Sequence, residues 1–211
     1  MNIKRIQLFV AILALSAGAN ASTIFSFDSD SLGTSTTFTD TVDGLSATFS
    51  SSADPGGFVI YPSMFETLTG NVLGDPGPAG QDNLSLDISF SSDLNAIELD
   101  FATSDFSTPS PLTLSAYENT QLVGSTTTSG MFLDGFFFPE GEVAFSGADF
   151  NNVVISSPAM DFAVDNINAN PVPEPGPAWF VPDLDRLSFF DAATGVRLGS
   201  PAHPADGGGP G

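Results

Sequence analysis

Cysteine is absent from the 211 residues, and between Ser22 and Gly176 so are lysine, arginine and histidine. The first absence excludes disulfides, thiolate nucleophiles and cysteine-ligated zinc. The second excludes a Ser–His relay, because the single histidine, His203, lies in a glycine-rich tail. It also removes the lysine of a phosphate-cradling loop and the cations that draw nucleic acid by displacing counterions. No Gly-x-Ser-x-Gly elbow is present. With 25 acidic residues against four basic ones the formal net charge is −21, so the chain repels phosphate backbones and anionic lipid and attracts cations. The same acidity also serves simply to keep an exported protein soluble.

What is present begins with a leader. Lys4 and Arg5 precede an apolar run from Ile6 to Leu15, and Ala19-Asn20-Ala21 offers a small-x-small cleavage site, the pattern of a secretory signal peptide over residues 1–21. The apolar run is about half the roughly 20 residues that a membrane-spanning helix requires. The roughly 190 residues that remain suffice for one all-β domain with a core. Serine, threonine, glycine and phenylalanine are abundant and no stretch has a helical period, which suits short strands joined by small-residue turns.

Candidate strands are Thr23 to Phe27, Thr36 to Thr41, Leu45 to Ser51, Phe58 to Tyr61, Leu84 to Phe90, Ala96 to Phe101, Leu112 to Tyr117, Gln121 to Thr128, Glu142 to Phe145, Val153 to Ser156 and Phe162 to Ile167. The clearest alternates strictly, with Leu84, Leu86, Ile88 and Phe90 separated by Ser85, Asp87 and Ser89. Glu118-Asn119-Thr120 joins two of them as a hairpin would. Many short strands of even spacing indicate a sandwich or barrel, and a jelly roll of eight or more strands accommodates the number. Gly70 to Gln81, dense in Gly and Pro, reads as a surface loop. Phe162, Val164 and Ile167 alternate with polar neighbours as in a closing strand with one wet face. Pro171, Pro173, Pro175 and Pro177 then make residues 170–177 an extended spacer with no partner in a sheet.

Two stretches carry a resemblance. Val172-Pro173-Glu174-Pro175-Gly176, after FAVDNINANP, resembles the sorting tripeptide of bacterial PEP-CTERM proteins. The segments LSLDISFSSDLNAIELDF, LTLSAYENTQLVGS, VAFSGADFNNVVIS and FAVDNI, together with TIFSFDSDSLG and GLSATFSS, resemble the galactose-binding-like jelly rolls found in proteins with that signal. The resemblance implies an all-β, galactose-binding-like jelly-roll sandwich over 22–169, exported to the cell surface or extracellular matrix. It implies an exosortase-type processing enzyme acting at Pro173, Glu174 and Pro175, and association with extracellular polysaccharide. It also implies a structural calcium joining the start of the domain to its last strand, for which Asp28 and Asp165 are the matching residues. Against that stands the simpler role in which Asp165 and Asn166 hydrogen-bond a turn, since calcium takes six or more oxygens. An EF-hand beginning at Asp28 fails at Leu32 and Thr39.

The preferred expectation is a non-enzymatic surface protein of this type, with a carbohydrate-binding module as the alternative. Sugar platforms would be Tyr61, Tyr117 and the run Phe136-Phe137-Phe138, three residues that cannot all face inward. A glycoside hydrolase would need a carboxylate pair such as Asp100 with Asp105 or Glu140 with Glu142. Residues 178–211 contain neither a spanning segment nor an arginine cluster, Asp183, Asp185 and Arg186 interrupting every apolar run. Read one base later, the codons of Trp179 and Phe180 give glycine, those from Phe180 to Asp185 allow an apolar run, and those of Ala192, Ala193 and Thr194 allow three arginines. A frameshifted signal is therefore the expectation for the tail, a natural disordered tail the alternative, and Ser200 to Gly211 is disordered on either.

Overall fold

A computed structural model describes residues 22–75 and 84–173 of the chain. The leader with Ala19 and Ala21, the second half of the Gly/Pro-rich loop, Glu174 and Pro175 of the tripeptide, and the tail lie outside the described residues. No helix among the described residues is long and apolar enough to cross a membrane.

The strands are β1 (Thr23–Phe25), β2 (Phe38–Val42), β3 (Leu45–Ser50), β4 (Val59–Pro62), β5 (Asn71–Gly74), β6 (Ser85–Thr103), β7 (Pro111–Glu118), β8 (Gln121–Ser129), β9 (Met131–Phe132), β10 (Pro139–Ser156) and β11 (Phe162–Pro171), with one 3₁₀ turn at Phe27–Ser29. Hydrogen bonding runs continuously in the order β4-β5-β11-β6-β10-β7-β8. Two long strands turn this path into a sandwich. The first part of β6, around Asp87 to Phe90, pairs with β3 and with Asn152 to Ser156 of β10. Its second part, from Leu94 to Thr103, pairs with β11 and with Glu140 to Ser146 of β10. Register shifts around Phe150, just after Gly147 at φ 112°, bend β10 between the layers, as bulges do.

The core lies between the layers. Phe25 of β1 meets Phe49 of β3 and Phe90 of β6, each at 6.3 Å between ring centroids, and Phe58 meets Phe162 at 5.1 Å. The alternation of Leu86, Ile88 and Phe90 buries these residues and leaves Ser85, Asp87 and Ser89 towards solvent, as the two-residue period requires. The chain is thus an all-β sandwich of the jelly-roll kind.

Four expectations about the strands need correction. The stretches Leu84 to Phe90 and Ala96 to Phe101 are one strand, as are Glu142 to Phe145 and Val153 to Ser156, because the chain continues through its bulges instead of turning. Asn71 to Gly74, read as loop, is β5, flanked by β4 and β11 with Val72 and Leu73 fully buried. A strand covered on both faces shows no alternation to find. The same holds for the first half of β11, whose Phe162, Ala163, Val164 and Asp165 are all buried, and the alternation returns only from Asn166 onward. Finally, Asn170 and Pro171 belong to β11, Pro171 lying opposite Leu94, while the Val172 N–H donates to the Asp93 carbonyl at 2.8 Å. A proline ends the ladder without cost where its missing N–H is not needed.

Candidate functional site

The outer face of the β4-β5-β11-β6 layer carries its own small core of Leu68, Val72, Ala102 and Ala163, with Tyr61 and Phe65 packed against it. Residues 63–70, which join β4 to β5, fold over this face. The Ser63 N–H donates to the Gly70 carbonyl at 2.8 Å, and the Ser63 hydroxyl donates to the Leu68 carbonyl. Glu140 of β10, only 3% exposed, pins the loop from the side. Its carboxylate accepts from the Glu66 N–H at 2.9 Å and from both the N–H and the hydroxyl of Thr67 at 2.6 Å. Charge-assisted bonds of this kind are the strong ones.

Beside this small core opens a cleft of about 520 Å³, lined among others by Tyr61, Phe65, Phe106 and Phe138, by Met64 and Met160, and by the carboxylates Asp75 and Asp161. Phe138 sits between two other rings, 5.6 Å from Phe65 and 5.4 Å from Phe106. Phe106 is 74% exposed. It stands on the loop that follows β6, which Asp105 closes by accepting from the Ser110 N–H and hydroxyl at 2.8 and 3.1 Å. Opposite, the Ser104 hydroxyl accepts from the Asp161 N–H at 2.9 Å, and the Ser104 N–H donates to the Asp161 carbonyl at 3.0 Å. Gly74 makes room for Tyr61, because a Cβ there would lie 2.7 Å from the phenol oxygen. Burial pushes the Tyr61 hydroxyl up to about 12, and the charges of Asp161 and Asp75 add to the effect. At neutral pH this hydroxyl is therefore protonated, able to donate one hydrogen bond and accept others.

Of the expected sugar platforms, Tyr61 and Phe138 belong to the cleft. Phe137 is 76% exposed beside it, Phe136 is half-buried, and Tyr117 lies apart on β7, opposite Asn152 and Leu122. Phe65, Phe106, Met64, Met160, Asp75 and Asp161 carry no motif. Phe106, an aromatic inside the polar stretch Ser104 to Ser110, is the one that sequence could have flagged, since loops with rings among turn residues often bind.

Three of the four carboxylates named for hydrolysis are engaged elsewhere. Asp105 closes its own loop, Glu140 holds residues 66 and 67, and the Asp100 carboxylate accepts from the Asn166 amide at 2.9 Å. Glu142 is exposed and lies opposite Asp100 on the neighbouring strand.

Asp28 and Asp165 form a second acidic region. β1 pairs with β11, Phe25 opposite Ile167, so the start of the domain does lie on its last strand. Asp165, 1% exposed and opposite Asp100, is pushed up to about 6, chiefly by burial and further by Asp28 and Asp100, while hydrogen bonds from the Asn166 and Phe27 backbones lower it. Its Oδ1 accepts from the Asn166 N–H at 2.8 Å. Asn166 sits at φ 50°, where the ladder shifts register. Asp28 Oδ1 accepts from the Asn71 N–H at 2.8 Å, and a Cβ on Gly70 would lie only 1.7 Å from that oxygen. A calcium ion takes six to eight oxygens. Among the described residues there is no group of three or more acidic, cysteine or histidine side chains that could hold a metal.

The architecture defines a class, the two-layer β-sandwich modules. No family model and no curated protein matches the chain. Among solved structures, the K2 cleaved adhesin domain of Lys-gingipain aligns over 71% of this chain and 99% of its own, at 14% identity and a TM-score of 0.50. The K1 cleaved adhesin domain of Lys-gingipain from Porphyromonas gingivalis W83 aligns over 72% and 99%, at 9% identity and 0.46. The CBM22-1 xylan-binding domain from Paenibacillus barcinonensis Xyn10C aligns over 74% and 98%, at 11% identity and 0.37. At such identities the first of these likenesses concerns the fold and not the ligand.

Proposed function

We propose that this domain is a non-catalytic carbohydrate-binding module and that the cleft between residues 63–70 and the loop after β6 is its binding site. One observation carries the reading: aromatic rings, a protonated phenol and two carboxylates share one open cavity of about 520 Å³. Sugars present apolar C–H faces and a rim of hydroxyls, so they suit rings for stacking and carboxylates for accepting O–H groups. A concave, mostly apolar site with a few convergent polar groups is the usual form of a small-ligand site. The test is a glycan array followed by calorimetry on the best binder. The expected result is a saturable ligand whose affinity falls in Phe106→Ala, and absence of any binder across the array overturns the reading.

We further infer that the chain is exported as a PEP-CTERM-type surface protein, a reading supported by residues 173–175 and by the closing segment before them. Processing by an exosortase-type enzyme and association with an extracellular polysaccharide follow from it. Mass spectrometry of the C-terminus in the native producer tests this, and a mature chain uncut near Pro173 to Pro175 and absent from both envelope and medium overturns it.

A further inference from the structure

We propose that β8 is the docking edge for a second copy of this chain, two β8 strands pairing antiparallel so that one layer of each copy joins into a single sheet. Such pairing is independent of the proposed sugar site, since no residue of β8 lines the cleft.

An edge strand presents main-chain N–H and C=O groups to any passing strand, and proteins blunt such edges with charge, proline, cover or shortness. β1 and β9 are three and two residues long. β2 carries Asp40, with Asp43 in the turn after it. β4 ends in Pro62 and is covered by residues 33–36: the Gly33 N–H donates to the Ile60 carbonyl, the Ile60 N–H to the Thr34 carbonyl and the Thr36 N–H to the Phe58 carbonyl, each at 2.9 Å. β8 has none of these protections. It is nine residues long, pairs on one side with β7, and has no strand on its other side among the described residues. No charged residue lies between Glu118 and Asp134, and no proline between Pro111 and Pro139. A register shift between Leu122 and Gly124 bends only its start, and Gly124 to Ser129 then run unbroken opposite Ala116 to Pro111. On that run Thr126 and Thr128, opposite the buried Leu114 and Leu112, face the core, while Ser125, Thr127 and Ser129 are exposed.

Charge and symmetry select the occupant. At a net charge of −21, two copies repel wherever their carboxylates would meet, and residues 119–133 are a place where they approach without opposing any. Identical strands paired antiparallel make an isologous contact in which each outward N–H finds a C=O, and such a contact closes at two copies. With the two-fold axis at Thr126 or Thr127, the exposed Ser125, Thr127 and Ser129 of the two copies stand opposite one another, short hydroxyl side chains of the kind that pair across strands. Leu122, 53% exposed, adds apolar area to the same edge. Each half of the joined layer runs β2-β3-β6-β10-β7-β8, so its outer ends are the β2 edges, where Asp40 opposes further growth.

The experiment is sedimentation equilibrium of the full chain at low and high salt. The proteins are the wild type, Ser125→Glu combined with Thr127→Glu, and Thr39→Glu combined with Thr41→Glu, which makes the same charge change at exposed positions of the β2 edge. Melting curves verify that both variants are folded. The expected result is a weak dimer of the wild type that tightens as salt screens the repulsion between two acidic bodies. The β8 changes should raise its dissociation constant about tenfold or more, because like charges then face one another across the pair, and the β2 changes should leave it nearly unmoved at high salt. Amide exchange on the wild type reads the same contact without any substitution, as protection within residues 124–129 that grows with protein concentration. A chain that stays monomeric up to about 1 mM at high salt overturns the proposal. Equal weakening by the β2 and β8 changes, a dimer indifferent to the β8 changes, or β8 exchange independent of concentration overturns it too.

Discussion

The molecule gathers carboxylates in two places, and the places differ in what surrounds them. Around Asp165 they face one another: Asp28, Asp100 and Asp165 lie close enough for the first two to raise the third, and Asn71 and Asn166 tie them together. Asp28 ties the 3₁₀ turn to β5, while Asp100 and Asp165 stand opposite each other on β6 and β11. In the cleft, Asp75 and Asp161 line one cavity together with aromatic rings. The difference teaches that, in a chain this acidic, a carboxylate signals binding only through its neighbours, because residue type alone is common to both places.

The comparison can be broken at the hinge between its halves. Glu140 supports the wall of the cleft without lining it, so Glu140→Ala leaves the N–H groups of Glu66 and Thr67 without their acceptor and frees the loop that carries Met64 and Phe65. Removing a buried charge acceptor of this kind costs about 3 kcal/mol, which a urea melt would register, and sugar affinity should fall with it. Unchanged affinity would show that the loop is not part of the site.

The next largest effect lies in the seam. Asp165 has a folded pKa of about 6 against an ordinary 3.8, so the native state holds the proton more tightly than the unfolded chain. The contribution to stability is therefore unfavourable above pH 6, shrinks as pH falls through that window, and vanishes below the unfolded value. Asp30 and Asp87, also raised by burial, act in the same direction. Asp165→Asn should stabilise the domain at neutral pH by at most about 3 kcal/mol, keep the bond to the Asn166 N–H, and flatten the rise in melting temperature on acidification. A melting temperature that drops in this variant at neutral pH would mean the carboxylate has a partner worth more than its burial costs.

Phe106→Ala provides the smaller, cleaner contrast. With its ring mostly in solvent it supports little packing, so affinity should fall by about 1 kcal/mol while the melting temperature stays within error. Smallest of all is calcium. Millimolar calcium should move the melting temperature by less than about 1 °C, since two carboxylates fall short of the six or more oxygens that calcium takes. A clear upward shift would show that Asp28 and Asp165 rearrange into the clamp that the family resemblance implies.

The layers were legible in the sequence wherever one face was dry and the other wet. Leu84 to Phe90 and Leu112 to Tyr117 appear in the structure where their alternation places them. β5 and the first half of β11 were misread for one reason, since covering both faces erases the period that sequence reading depends on. β6 and β10 were each divided in two because a bulge resembles a turn when only side-chain types are visible. Half of the cleft was legible through Tyr61 and Phe138. The rest was not, because Phe65, Phe106 and Asp161 are brought together by pairing between strands distant in sequence and by loops closed through single serine hydroxyls. The seam was legible as a juxtaposition of Asp28 and Asp165, but its meaning depended on which oxygens the amides had already taken.

The direction of β11 has a further consequence. Thr23 lies opposite Ala169 and the strand ends at Pro171, so the chain enters and leaves this domain side by side. The cleft lies at the other end of the same strand, against Phe162 and Ala163, roughly 25 Å away at the rise of an extended chain. Both crossings into the sandwich are thus made at one end of β11, and the cleft residues Phe162 and Ala163 stand at the other.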